Sequence, residues 1–127
     1  MQDRPDAAEL AQAVREFLET EVLSTVQDPR LRFRMLVAIN GIGILERELA
    51  AGSAPMRREI AALTQLLGVA EAPDDADLRA QARSLNRELA LRIRGGNAPE
   101  GTLAPVKAIV ADKLRIASPR YLERFRE

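Results

Sequence analysis

The sequence contains no cysteine and no histidine. Thiolate nucleophiles, structural disulfides, Cys/His zinc sites and Ser-His-Asp triads are therefore excluded. Net charge is absent as well, because nineteen basic side chains balance nineteen acidic ones. Such a chain lacks the basic footprint of a general nucleic-acid binder, and no nucleic-acid partner is expected. Long hydrophobic runs are missing too. The longest nearly apolar stretch, Met35 to Leu45, is interrupted by Asn40 and falls short of the roughly 20 residues a membrane span needs. The opening Met1-Gln2-Asp3-Arg4-Pro5-Asp6 has neither the basic start nor the apolar core of a signal peptide. The expected compartment is the cytoplasm, with no membrane association.

What remains is a chain of 127 residues, 46% hydrophobic and 30% charged. That is enough apolar material for a core and excludes an intrinsically disordered chain. The length suits a single domain over 1–127. Arginine supplies seventeen of the nineteen basic residues. Charge is uneven along the chain: residues 1–28 carry a net −5 and residues 101–127 a net +3.

Apolar spacing predicts helices throughout, with no block alternating at the period of two that a strand requires. The first runs from about Asp6 to Val26, opened by Asp6 and Glu9 at capping-box spacing and closed by Asp28-Pro29. Leu10, Val14, Phe17, Leu18 and Val22 form its stripe. The second, about Pro29 to Ala51, is the most apolar. Leu31, Met35, Ala38, Ile42, Leu45 and Leu49 make one unbroken row, and Phe33, Val37 and Ile44 lie on nearly the opposite side. A helix apolar on two sides is expected to be buried on two sides, which makes this one the predicted central element. The third block, Pro55 to Leu67, ends at Gly68, and Val69 to Ala76 reads as a loop and candidate hinge. The fourth carries Leu78, Ala82, Leu85, Leu89 and Ile93 after a cap at Asp74 or Asp75. Thr102 is the expected cap of the fifth, which carries Leu103, Val106, Val110, Leu114 and Ala117. Ser118-Pro119 restarts a last turn with Tyr121, Leu122 and Phe125. The expected fold is all-α, an up-and-down bundle of about five helices with a short C-terminal helical turn. Leu45-Glu46-Arg47-Glu48-Leu49-Ala50 and Leu85-Asn86-Arg87-Glu88-Leu89-Ala90 share a pattern, as a duplicated helical pair would, or simply as common helix-forming residues do.

Asn40 falls by helical angle among Phe33, Val37 and Ile44 and is the buried polar candidate. A buried amide without partners costs about 1–3 kcal/mol, so a neighbouring helix, Asn86, a ligand or a partner chain should satisfy it. Gly41 and Gly43 beside it point to close approach of another backbone. Arg30, Arg32 and Arg34 stand at a helix start, whose free N–H groups already favour anions. They are candidates for gripping a phosphate or carboxylate, or else a solvated face. No pair of carboxylates stands out for acid–base work: Glu46 and Glu48 point about 200° apart on a helix. No catalytic residue, metal site or cofactor is expected.

The segments MQDRPDAAELAQAVREFLET, RFRMLVAINGIGILERELA, LRAQARSLNRELALRIRGG and VKAIVADKLRIASPRYLER resemble a family of short, uncharacterised bacterial helical proteins. Its members are encoded near aminoglycoside-phosphotransferase-like kinases and acyl-CoA dehydrogenases. The resemblance spans nearly the whole chain and carries over no catalytic residues. It implies a cytoplasmic helical protein working alongside a phosphotransferase or a fatty-acyl-CoA pathway enzyme. The expected function is that of a non-catalytic accessory protein, as a homodimer or with a kinase-like protein, contacting its partner through Phe33, Val37 and Ile44. The alternative is a small-ligand binder that holds a phosphorylated or CoA-type anion at Arg30, Arg32 and Arg34.

Overall fold

The computed structural model describes residues 3–73 and 76–124, and the fold there is all-α with no strand. In chain order the helices are α1 (Ala7–Phe17), α2 (Pro29–Ala51), α3 (Ala54–Leu67), α4 (Leu78–Arg94), α5 (Leu103–Ala117) and the short α6 (Pro119–Glu123). They fall into two compact units, Met1–Gly52 and Ser53–Glu127. The boundary lies at Gly52, whose φ of 60° ends α2, and not in the loop after Val69. That loop instead joins two helices, α3 and α4, which pack on each other.

Unit 1 is a helical hairpin. The Asp6 carboxylate accepts from the Glu9 N–H at 2.8 Å while the Glu9 side chain accepts from the Asp6 N–H, the full capping box. Beyond Phe17 the chain relaxes into a π-helical turn, Leu18–Val22, and then a 3-10 turn, Leu23–Thr25. Asp28 caps α2 through the Arg30 N–H, and Pro29 takes the first position, where its missing N–H costs nothing. The contact between α1 and α2 runs along Ala11 on one helix and Ile39 and Gly43 on the other; these are the buried residues of unit 1.

The row Leu31–Leu49 is thus not the core row expected from its spacing. It lies about 80° around α2 from Ile39, and Leu31, Leu45 and Leu49 are exposed. Phe33 and Val37, on the other side, are exposed as well. α1 packs on the strip between the two apolar rows. Asn40 is exposed rather than buried, because within unit 1 α2 meets only α1 and the turns that follow it. Nor does a backbone approach the two glycines. A Cβ on Gly43 would meet only side-chain atoms, Arg47 Nη1 at 3.4 Å and Arg15 Cδ at 3.7 Å, and one on Gly41 would meet nothing within 4 Å.

Unit 2 is organised around α3, which packs against both α4 and α5. Leu63 is fully buried, with Leu67 and Leu89 beside it and Leu66, Leu85, Val106 and Ile109 packed around them. α3 ends as its spacing predicts, at Gly68 in the left-handed conformation. Asp77 caps α4, accepting from the N–H groups of Arg79 and Ala80; Asp74 and Asp75, expected in that role, lie outside the described residues, as does Phe125. The Thr102 hydroxyl donates to the Pro99 carbonyl at 2.5 Å instead of capping α5. α5 turns Val106 and Ile109 inward and leaves Leu103 and Val110 exposed.

Truncating Leu63 to alanine removes buried side-chain volume at a fully enclosed position and should cost about 2–5 kcal/mol. Urea unfolding of the L63A variant should show this as a lower midpoint with an unchanged slope.

Candidate functional site

Two polar clusters and one apolar surface stand out, and each belongs to a single unit. In unit 1, Arg15 of α1 bridges to α2: its Nε donates to Glu46 Oε2 at 2.7 Å, and its Nη1 reaches Glu19 Oε2 at 3.0 Å. The stem of Arg15 lies over Gly43, so one side chain covers the glycine and supplies the ion pair. Hydrogen bonding from Arg15 holds the Glu46 carboxyl below its usual range, with partial burial opposing and the charges of Arg15 and Arg47 reinforcing it. The same bond to Glu46 raises Arg15.

In unit 2, Glu59 of α3 is buried, with 7% of its surface accessible. Its Oε1 accepts from Asn86 Nδ2 of α4 at 2.8 Å and pairs with Lys113 Nζ of α5 at 3.0 Å. Asn86 uses its second amide hydrogen on the Ala82 carbonyl, also at 2.8 Å. One residue along, Arg58 donates to Asp112 at 3.0 Å. A buried charge must be paired and hydrogen-bonded to be tolerated, and this carboxylate is both. It joins three helices. Nothing in the spacing singles out Glu59, since it stands on a helix with an ordinary polar sequence and finds its partners on two other helices, α4 and α5. Asn86, a candidate partner for Asn40 by sequence, binds Glu59 instead.

The arginines at the start of α2 do not gather. Arg32 Nη1 donates to the Leu23 carbonyl at 2.8 Å, on the side facing the preceding turns. Arg30 and Arg34 lie about 160° around the helix from it. The anion position at the helix start is taken by the Asp28 carboxylate, which accepts from the Arg30 N–H. Shallow grooves in unit 2 offer little more. They measure about 240, 340 and 390 Å³, at or below the low end of the roughly 300–1,000 Å³ typical of small-molecule sites. Among the described residues no cluster of carboxylates could hold a metal ion.

The largest concentration of unusual surface is apolar and lies on unit 1. Phe33 is 67% and Val37 56% exposed on one side of α2, with Ile44 half-buried beside them. On the other side are Leu31, Leu45 and Leu49, together with Leu10, Val14 and Phe17 of α1. Scattered exposed apolar residues are ordinary, but contiguous ones mark contact surfaces.

The chain is an all-α domain with satisfied buried polar groups and an apolar surface on its N-terminal hairpin. Residues 24–121 match the family described as a domain of unknown function, DUF6285, and the chain belongs to that family. The matched stretch begins after α1. No curated protein and no solved structure matches the chain. No helix among the described residues is long and apolar enough to cross a membrane.

Glu46 gives unit 1 a defined acid response. A carboxyl whose pKa is lowered by folding contributes stability above its unfolded pKa, and that contribution is lost as pH falls through the folded value. Acid titration followed by circular dichroism should show part of the helix signal lost below the ordinary glutamate range. Arg15→Gln, which removes the cause of the shift, should move that loss to higher pH.

Proposed function

We propose that the chain is a non-catalytic helical accessory protein whose N-terminal hairpin binds another protein through Phe33, Val37 and Ile44. The observation that carries this reading is the exposure of Phe33 and Val37 on a regular helix, where no chemistry requires them. Aromatic residues such as Phe are enriched at protein–protein interfaces, whose buried cores are more apolar than the rest of the surface. The family resemblance ranks the partners: a phosphotransferase-like kinase first and an acyl-CoA pathway enzyme second, in the cytoplasm of a bacterium. A phosphorylated or CoA-type anion at Arg30, Arg32 and Arg34 is the less favoured reading. The guanidinium of Arg32 is engaged with the Leu23 carbonyl, away from the other two.

Light scattering of the chain mixed with the neighbouring kinase-like protein tests the first reading. A complex is expected, and Phe33→Ser with Val37→Ser should weaken it at least about tenfold, since hot-spot truncations typically exceed 1 kcal/mol. A complex indifferent to both substitutions, or none with either enzyme class, contradicts it.

A further inference from the structure

The Leu31–Leu49 row lies on the side of α2 away from Phe33 and Val37, and it has a pattern of its own. Its members, Leu31, Met35, Ala38, Ile42, Leu45 and Leu49, are spaced alternately by four and three residues. That is the a/d repeat of helices that pack lengthwise, knobs into holes. On α1, Leu10, Val14 and Phe17 follow the same four-three spacing. The two helices run antiparallel, as the pairs Arg15–Glu46 and Arg32–Leu23 require. Both rows are rotated in the same sense from the line of contact, so in an antiparallel pair they share one side of the hairpin. Neither row contains a charged residue.

We infer that this side is covered by a second copy of the same chain, with α2 packing antiparallel on α2 of the other copy in a four-helix assembly. Two observations select that occupant. First, the row is self-complementary when reversed about residue 40. Leu31 then faces Leu49 of the second copy, Met35 faces Leu45, and the small Ala38 faces Ile42, so every layer is filled. Second, the charges along the edge of the row away from α1 are complementary in the same antiparallel pairing, where the flanking positions reverse about residue 41, one residue from the centre of the row. The positions that flank such a row are Arg34, Gly41 and Glu48, and antiparallel pairing sets Arg34 beside Glu48 of the second copy at each end. Between them Gly41, whose Cβ would meet nothing within 4 Å in the single chain, leaves the crossing point open.

The full chain in light scattering, over a range of concentrations, tests this. The expected mass is twice the 14.0 kDa of one chain. Arg34→Glu and Glu48→Arg should each raise the dimer dissociation constant at least about tenfold, because every native attraction becomes a repulsion of like charges. The double variant R34E/E48R should recover most of the loss. Circular dichroism at equal concentration checks that each variant keeps its helices. A mass of 14.0 kDa at every concentration, as when the row is covered within one chain or by a different protein, overturns the inference. So does a dimer that either charge reversal leaves untouched, or a double variant no tighter than the singles. The Phe33–Val37 surface lies on the other side of α2 and is read with a different protein, so either proposal can fail alone.

Discussion

Everything in unit 1 depends on how little of α2 the first helix can cover. The seam between them is narrow: Ala11, Ile39 and Gly43 are its buried residues, and the Arg15–Glu46 pair spans it. Small residues such as Ala11 and Gly43 bury little apolar area, and burial is the main source of folding free energy. An exposed or half-exposed ion pair adds only about 0–1 kcal/mol. A hairpin held this way keeps its geometry through one seam and leaves its leucines outside. Those leucines need another layer.

Unit 2 solves the same problem within itself. α3 has neighbours on two sides, so Leu63 and Leu67 are covered by residues of α4 and α5. The polar link at one end, Glu59 with Asn86 and Lys113, ties the same three helices in register. Breaking one partner of such a cluster leaves a buried charge without compensation.

Helix positions were legible in the sequence because caps and breakers are local. The Asp6–Glu9 box, Pro29, Gly52 and Gly68 all act where their spacing placed them. Partnership was not legible, because it depends on which faces meet. α2 carries apolar residues around most of its circumference, and such a pattern is equally consistent with a central helix and with one side of an assembly. Asn40 and the Leu31 row were misplaced for that one reason. In α5 the tighter face was Val106–Ile109 rather than Val106–Val110, a shift of one position that also brings Asp112 and Lys113 onto α3. The repeated pattern at Leu45 and Leu85 did carry contact information. Its second residue, Glu46 in one copy and Asn86 in the other, is the one that reaches the first helix of each hairpin.

The most direct test of a hairpin that needs a second layer is its thermal unfolding at different protein concentrations, followed by circular dichroism. Association that stabilises only the folded state raises the midpoint with concentration by mass action. Over about a hundredfold range the midpoint should climb steadily. A transition at the same temperature throughout would contradict the second layer and mean that the leucine rows of unit 1 stand without a partner.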